Sequence, residues 1–264
     1  MVAFSFSVAR IGKRRFFSGI MRDLSESRAL KERADQNERL AELGRFVAEI
    51  SHEIRNPLMV IGIAAQQIRR RIDDEASLGK LRIVEGEVKK VETLLDELNA
   101  YYRPRPLNLE VFDANILLEE VCSLARPECE MRGIELECRT EGGPMLIEGD
   151  RSKLEEVLFN LIRNALEAMR DGGRLRIQSA VSDRAEIRVA DNGPGIPGEI
   201  RAKIFSPFFT TKGKGSGLGL AISKRIVDSH PGWAIEFSSE EGQGTEFKMS
   251  MPLARAAKRA KAAE

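Results

Sequence analysis

The chain of 264 residues is 42% hydrophobic and 31% charged, the composition of a globular protein with a packed core. Its 42 basic and 41 acidic side chains nearly cancel, so no net field draws it to nucleic acid or to an anionic membrane. No segment approaches the roughly 20 consecutive apolar residues that cross a bilayer, and the N-terminal residues lack the pattern of a secretory leader. Three cysteines without metal-ligand spacing favour reduced thiols. We therefore expect a cytoplasmic protein with no nucleic-acid partner and no transmembrane segment.

Two short segments of alternating character open the sequence. Val2 to Ile11 and Arg14 to Leu24, separated by Gly12-Lys13, predict a β-hairpin. An isolated hairpin is marginal in water, so these strands are expected to pair with, or derive from, a larger sheet. The phrase FFSGIMRDLSE resembles the last strand of a PAS sensor domain and its exit into a signalling helix. The resemblance implies that residues 1–24 are a PAS-like terminal hairpin and that the upstream sensor domain is absent from this chain.

From Ser25 the sequence becomes polar and helical, and residues 25–39 are predicted to form a signalling helix or coiled-coil linker. Apolar residues then recur at alternating steps of three and four, which indicates one apolar helix face. They are Leu40, Leu43, Val47, Ile50 and Ile54. Pro57 is expected to kink this helix rather than end it, because the periodicity continues beyond it.

A second helix repeats the pattern after a polar turn predicted at Asp73 to Ser77. Its apolar residues are Leu81, Val84, Val88, Val91, Leu95 and Leu98. It stops where Arg103-Pro104-Arg105-Pro106 imposes extended backbone. Residues 40–103 are therefore predicted to be an antiparallel helical hairpin, followed by a linker at 104–107. One hairpin encloses little core, so we expect a homodimer in which two copies form a four-helix bundle.

Beyond the linker, strands and helices alternate. Strands are predicted at 108–112, 134–139, 174–181, 186–190, 234–238 and 245–251, and helices at 114–131, 151–169 and 218–229. This order, with several glycine turns, predicts an α/β sandwich over residues 108–253, and hence a multidomain chain. The Ala-rich, charged residues 254–264 are predicted to be a frayed helix or disordered tail.

The first candidate site is the segment SHEIRNPL in the first predicted helix. His52 lies two residues after Ile50 and two before Ile54, so its imidazole points away from the apolar face. A neutral imidazole is a competent nucleophile toward phosphorus, and Glu53 is the adjacent carboxylate available as general base. Taken alone, the pair is more simply interpreted as a surface histidine beside a solvated glutamate.

Asn160 and Asn164 form the second candidate, on a helix whose apolar residues point to a core. The two amides are one turn apart and share a face. Buried amides need partners, and two carboxamide oxygens beside phosphates would suit Mg²⁺. Hydrogen bonding between the helix and a loop is the alternative, because Asn-x-x-x-Asn alone is a weak signal.

The third candidate is DNGPGI, directly after an apolar strand. Gly193 and Gly195 let the backbone approach a flat ligand, and the Asp191 carboxylate can accept a hydrogen bond from an exocyclic amine such as that of adenine. A strand-ending aspartate before a glycine turn is also ordinary hairpin chemistry.

A glycine-dense loop that runs into an apolar-periodic helix is the fourth candidate. It contains Lys212, Gly215, Gly217, Leu218 and Gly219. Backbone N–H groups at a helix N-terminus bind phosphate oxygens, and the lysine would add positive charge. The loop lacks the Gly-Lys-Ser/Thr ending of a Walker motif and the spacing of a dinucleotide fingerprint. The preceding segment, IFSPFFTTK, predicts either a mobile lid or core packing.

In chain order, HEIRNP, NLIRNA, DNGPGI, the phenylalanine segment, GKGSGLGL and GQGTEF resemble the H, N, G1, F, G2 and G3 boxes of sensor histidine kinases. The resemblance covers residues 38–253 and is greatest to the nitrogen-regulation type, which shares the Asn-Pro-Leu after the phosphoacceptor. It implies a dimerisation and histidine-phosphotransfer domain followed by a Bergerat-type ATP-binding domain.

The same resemblance implies roles for individual residues. Asn164 is the implied Mg²⁺ ligand, Asn160 a phosphate-side contact and Asp191 the adenine reader. Cofactor binding is further implied for Gly193, Gly195, Lys212, Gly215, Gly217, Leu218, Gly219 and Thr245. Asn56, four residues after His52, matches the position associated in the family with dephosphorylating the partner.

These motifs predict an ATP-dependent protein-histidine kinase. With ATP and Mg²⁺ as cofactors, the γ-phosphoryl group would move to His52 of the same or the partner chain, and then to an aspartate of a response regulator receiver domain. ATPases of the broader superfamily carry a water-activating glutamate where this chain has Asn160, so hydrolysis is not the expected main reaction. The alternatives are a non-catalytic dimeric adaptor, although no motif residue is missing, and a Ser or Tyr kinase, whose glycine loop and His-Arg-Asp motif are not found.

Overall fold

The computed structural model describes residues 2–254 except 12–13, 24, 73, 104, 141–142, 170–171 and 213–214, with side chains from residue 43 onward. The chain divides into two compact units, Met1–Glu92 and Thr93–Glu264. Within the described residues, no helix combines the length and the apolar character that a bilayer crossing requires.

The first unit begins with the predicted β-hairpin. Strand β1 (Val2–Ile11) pairs antiparallel with β2 (Arg14–Asp23), in a register that sets Val2 opposite Asp23. The turn predicted at Gly12-Lys13 and the strand end at Leu24 lie outside the described residues. Assignment of the hairpin to a PAS domain stays a prediction.

Two helices follow, as the apolar periodicity predicts. Helix α1 (Ser25–Arg69) contains Pro57 and continues beyond it, because a proline removes only one backbone donor while the apolar face persists. Helix α2 (Glu75–Tyr102) begins inside the turn predicted at Asp73 to Ser77, so that prediction was wrong in its bounds. The cause is a cap: Asp74 Oδ2 accepts from the Ser77 N–H at 2.9 Å, and hydrogen bonds from Ser77 lower the pKa of Asp74.

The strands of the second unit form two sheets. A small antiparallel pair consists of β3 (Glu110–Asp113) and β5 (Leu146–Gly149). The main five-stranded sheet has the order β4 (Ile134–Arg139), β6 (Gly173–Val181), β7 (Ala185–Asp191), β9 (Gly244–Met251) and β8 (Ala234–Glu240). The pair β4–β6 is parallel, and the other neighbours are antiparallel.

Three helices pack against this sheet: α3 (Ala114–Met131) on β4, α4 (Arg151–Ala168) on β6 and β7, and α5 (Gly219–Ser229) on β8. Their apolar faces and the inward residues of the sheet form one core. The alternation is clear in β6, where Leu175 and Ile177 are fully buried and their neighbours are not. The predicted α/β sandwich is thereby confirmed.

Two elements were not predicted, namely β5 and a 3₁₀ helix at Gly198–Lys203. The predicted tail begins with Ala254, which is buried and donates its N–H to the Leu146 carbonyl oxygen at 2.9 Å. The expectation of disorder was therefore wrong for Ala254, because that residue extends the contacts of β5. The rest of the predicted tail lies outside the described residues.

Candidate functional site

His52 lies on the exposed side of α1, as the helical spacing predicts. The preceding Ser51 is buried, and its hydroxyl donates to the Val47 carbonyl oxygen at 2.6 Å. In contrast, His52, Glu53 and Asn56 are all exposed. Asn56 follows one turn after the histidine and so shares its face. The imidazole is therefore accessible to a second reactant, with a carboxylate and an amide beside it.

The two asparagines of α4 are half-buried at the edge of the core rather than fully buried. Asn160 Oδ1 accepts from Arg163 Nη2 at 3.0 Å. Asn164 Oδ1 accepts from Lys212 Nζ at 3.2 Å, which is the helix-to-loop hydrogen bond considered as the alternative. Both amide oxygens thus already serve cationic donors.

Glu167 belongs to the same cluster, although it was not predicted from the sequence. Its Oε2 accepts from Lys212 Nζ at 2.5 Å, and it follows Asn164 by three residues on one face of α4. This three-residue spacing on the helix is the feature of the sequence from which Glu167 could have been predicted. Asn164 and Glu167 offer the hard oxygen donors that Mg²⁺ prefers, and they already hold an ammonium, so they fit such a cation. The described residues contain no group of three or more His, Cys, Asp or Glu suited to a metal.

Asp191 ends β7 opposite Thr245 of β9. Its Oδ1 accepts from the Gly193 N–H at 2.9 Å. Burial raises the pKa of Asp191, while hydrogen bonds from the backbone of Gly193 and Thr245 and the charge of Lys212 act in the opposite direction. Thr245 is itself buried. The carboxylate is partly desolvated, so an amine donor would be a favourable partner for it.

The loop after Asp191 closes onto the turn between β8 and β9. Gly195 has a φ of 72°, and a Cβ at this position would lie 2.1 Å from the Glu240 carbonyl oxygen. The Pro194 carbonyl oxygen accepts from the Gly242 N–H at 2.7 Å. Glycine is therefore required at position 195 by its backbone angle and by the close approach of another chain segment.

The glycine-dense loop packs on the phenylalanine segment and leads into α5. Gly217 has a φ of 71°, and a Cβ there would lie 2.5 Å from the Phe208 carbonyl carbon. Leu218 is fully buried and anchors the loop. A Cβ on Gly219 would lie 3.6 Å from Asn160 Oδ1, so the start of α5 adjoins this amide.

The phenylalanine segment divides between core and surface. Phe205 packs edge-to-face against Phe237 and Phe247, with ring centroids 5.8 and 6.4 Å away. Phe209 also packs against the core, whereas Phe208 is exposed and has a positive φ of 63°. Core packing therefore holds for Phe205 and Phe209, and the lid stays a prediction.

The structure brings predicted nucleotide residues of the second unit together in three groups. Asn160 adjoins Gly219, Asn164 contacts Lys212, and Asp191 contacts Gly193 and pairs with Thr245. Gly215 adjoins the Lys212 side chain. His52, Glu53 and Asn56 belong to the first unit. An exposed histidine on a helical hairpin, combined with an α/β sandwich bearing these residues, defines a histidine protein kinase.

Comparison with known families agrees with this class. Residues 42–106 match the family described as His Kinase A (phospho-acceptor) domain. Residues 149–255 match the family described as Histidine kinase-, DNA gyrase B-, and HSP90-like ATPase. Signal transduction histidine-protein kinase AtoS of Escherichia coli (strain K12) is 35% identical over 236 residues, which make up 89% of this chain and 39% of AtoS.

Two solved structures are similar over most of the chain. Histidine kinase ThkA, in complex with response regulator protein TrrA, is 30% identical with a TM-score of 0.63, over 94% of this chain and 78% of ThkA. Full-length ShkA, in complex with AMPPNP, is 28% identical with a TM-score of 0.70, over 80% of this chain and 46% of ShkA.

The chain therefore belongs to the histidine kinases, and the predicted fold of helical hairpin and α/β sandwich is confirmed. It spans about two fifths of the length of AtoS and of sporulation kinase A of Bacillus subtilis (strain 168). The nitrogen-regulation subgroup, the PAS hairpin and the exact domain bounds stay predictions.

Proposed function

We propose that the chain is the kinase core of a sensor histidine kinase, which moves the γ-phosphoryl group of ATP to His52 and then to an aspartate of a response regulator. The observation that carries this proposal is the exposure of His52 on α1, inside the segment that matches the phospho-acceptor family. By itself an exposed histidine is an ordinary surface feature. The ATPase-like second unit of the same chain supplies a source of phosphoryl groups.

The nucleotide is proposed to bind with adenine at Asp191 and phosphates at the start of α5. The Asp191 carboxylate would accept from the exocyclic amine, with Thr245 on the neighbouring strand and the Gly193–Gly195 backbone against the base. Phosphate oxygens would accept from N–H groups of residues 215–219, with Lys212 adding charge.

Magnesium is proposed to be held by Asn164 Oδ1. When bound, the ion neutralises charge on the phosphates and helps to orient the γ-phosphoryl group. Asn160, beside the start of α5, would contact a phosphate directly or through water. The hydrogen bonds that both amides already accept from cations support these assignments.

In the transfer step, the His52 Nε2 lone pair attacks the γ-phosphorus in line. A nitrogen–phosphorus bond forms while the bond to the β,γ-bridging oxygen breaks, so ADP leaves with that electron pair. Glu53 takes the proton from the other imidazole nitrogen. Because Asn160 carries an amide, which cannot remove a proton from water, the γ-phosphoryl group is directed to histidine rather than to hydrolysis.

Dimerisation is proposed to occur through α1 and α2, whose apolar residues are largely uncovered. Exposed side chains include Leu43, Phe46, Ile54, Met59, Ile61, Ile63, Ile68, Ile83 and Val84. A groove of about 280 Å³ lies between the helices, lined by residues such as Leu58, Ile63 and Val88. Apolar surface of this extent is typical of an interface, and a second copy would complete a four-helix bundle.

A response regulator is the proposed acceptor of the phosphoryl group. The relative ThkA forms a complex with response regulator TrrA, which supports a partner of this kind for the present chain. Asn56, exposed one turn after His52, is proposed to contribute to dephosphorylating that partner. Loss of label from a phosphorylated regulator should therefore slow with Asn56→Ala, while labelling of His52 persists.

Incubation with Mg²⁺ and γ-labelled ATP tests the central step. We expect acid-labile, alkali-stable label on the wild type, none on His52→Gln and much less on Asn164→Ala. The only other histidine, His230, is buried with both ring nitrogens hydrogen-bonded, so it offers no competing acceptor. Label on His52→Gln would reject His52 as the acceptor. A wild type that bound ATP without becoming labelled would favour the adaptor.

A further inference from the structure

Lys212 links the glycine-dense loop to α4 through two acceptors. Its Nζ lies 2.5 Å from Glu167 Oε2 and 3.2 Å from Asn164 Oδ1. The two acceptors are three residues apart on one helix face, so a single ammonium bridges both. Burial raises the pKa of Asp191, and the charge of Lys212 partly opposes that rise, so the influence of Lys212 extends to the proposed adenine end of the site.

The Lys212 ammonium is hydrogen-bonded to Asn164 Oδ1, which is the oxygen proposed above to bind magnesium. An ammonium and a divalent cation are both attracted to Asn164 Oδ1, but they repel each other at such short range. Magnesium can therefore take this oxygen only after Lys212 has left it. Nucleotide without magnesium can bind while Lys212 stays on Asn164, and its phosphates would then lie near the Lys212 ammonium.

We propose that Lys212 is a resident cation of the phosphate subsite, and that Glu167 is the positioning residue that holds it there. This inference rests on the proposed function, because it concerns the same nucleotide site. Without magnesium, Lys212 offsets part of the negative charge of the phosphates. With magnesium, it gives up Asn164 and keeps Glu167 as its partner. Glu167 acts through Lys212 and is not itself a catalytic residue.

An ordinary surface ion pair is the simpler account, because the Lys212 and Glu167 side chains are 35% and 39% exposed. Such pairs contribute little to stability. The pair Lys248–Glu236 on the sheet, at 3.1 Å, is an example and contains no predicted nucleotide residue. The pair at Lys212 differs in sharing its ammonium with Asn164, and this difference can be measured.

Binding of AMPPNP to the full chain, measured by calorimetry in excess EDTA and again in saturating Mg²⁺, tests the inference. The readout is the ratio of the dissociation constant without magnesium to that with magnesium. We expect Lys212→Ala to raise this ratio about tenfold, because magnesium-free nucleotide loses a nearby positive charge that magnesium would otherwise replace.

Three further variants complete the test. Glu167→Gln is expected to raise the ratio in the same direction by about threefold, since the ammonium is kept but no longer held. Lys212→Arg retains the positive charge and should stay near the wild-type ratio. Glu236→Gln is the matched control, because it neutralises a carboxylate of the sheet ion pair, and its ratio should not change.

The outcomes separate this inference from the proposed function. If the wild type binds AMPPNP and neither Lys212→Ala nor Glu167→Gln changes the ratio, the pair is a surface ion pair and the inference is overturned. A ratio raised by Lys212→Ala alone would remove the positioning role of Glu167. A wild type that binds no AMPPNP in either condition would overturn the proposed function, and this inference with it.

Discussion

His230 Nε2 accepts a hydrogen bond from the backbone N–H of Asp150 at 3.0 Å, and so joins the end of α5 to the start of α4. The Nδ1 atom donates to the Ile226 carbonyl oxygen at 2.8 Å, which fixes the neutral tautomer of the ring. The ring also stacks on Trp233, with centroids 4.0 Å apart. Both helices carry predicted nucleotide residues at their other ends, so this histidine holds the two arms of the site together.

Replacing this ring should therefore destabilise the second unit. We expect His230→Ala to lower the free energy of unfolding by about 2–4 kcal/mol, because it opens a cavity beside Trp233 and leaves the Asp150 N–H without an acceptor. Denaturant unfolding followed by the fluorescence of Trp233, the single tryptophan, measures this change. His52→Ala is the control, since that histidine is exposed, and its effect should stay within about 0.5 kcal/mol. Equal losses in the two variants would contradict the assignment.

The loop at Gly195 gives a second prediction. Gly195→Ala places a Cβ against the Glu240 carbonyl oxygen in a backbone conformation that alanine rarely adopts. We expect the free energy of unfolding to fall by about 1–3 kcal/mol, and affinity for AMPPNP to fall about tenfold. Gly86→Ala in α2 is the matched control, because nothing lies within 4 Å of its Cβ position, and it should stabilise by about 0.5–1 kcal/mol. Unchanged nucleotide affinity in Gly195→Ala would mean that this loop does not contact the ligand.

Local signals account for the parts of the fold that the sequence predicts well. The bounds of α3 were predicted correctly because a capping residue, Asp113, precedes an uninterrupted apolar periodicity. Strand β5 was missed because it ends in Gly149 and offers only Leu146, Ile147 and Glu148 as a strand pattern, whereas the predicted segment around β3 is longer. Its pairing depends on tertiary packing, which a period-two pattern cannot reveal.

The candidate site likewise combines features that have a local sequence pattern with contacts that depend on tertiary packing. His52 and Gly195 carry local signatures, a position on the helix and a glycine turn, and the structure agrees with both in exposure and in backbone angle. The contact between Lys212 and Glu167 joins residues 45 positions apart. No local spacing could predict it, because it depends on how the glycine-dense loop folds back on α4.

Asp191 gives a prediction about pH and stability. Burial raises its pKa in the folded protein above the ordinary value of 3.8, so the folded state keeps this proton to higher pH than the unfolded chain does. The stabilisation from that proton is fully present below pH 3.8 and is lost as the pH rises through the raised pKa. Asp191→Asn stays neutral at every pH. We expect its melting temperature to exceed that of the wild type at pH 7 by about 2 °C, with the difference disappearing in acid.

The same substitution should weaken nucleotide binding. An asparagine can turn its NH₂ group toward the adenine amine and carries no charge, so we expect the dissociation constant for AMPPNP to rise about tenfold or more. Asp183→Asn, in the exposed turn between β6 and β7, is the control for both measurements and should change neither. If Asp191→Asn gained stability but kept its affinity for AMPPNP, the effect of burial on Asp191 would be supported. The proposed contact between Asp191 and adenine would then be wrong.

The groove between α1 and α2 gives a prediction about association. Ile63 lines this groove and is 50% exposed, so a second copy that covered the groove would bury it. Ile63→Asp would then bury an unpaired charge, and we expect the dimer dissociation constant to rise about a hundredfold. Sedimentation velocity over a range of protein concentrations measures it. Ala64→Asp introduces the same charge one residue further on, at an exposed position outside the groove lining, and should leave association unchanged. The proposed interface would be wrong if the two aspartates had equal effects on association. It would also be wrong if the wild type stayed monomeric at high concentration.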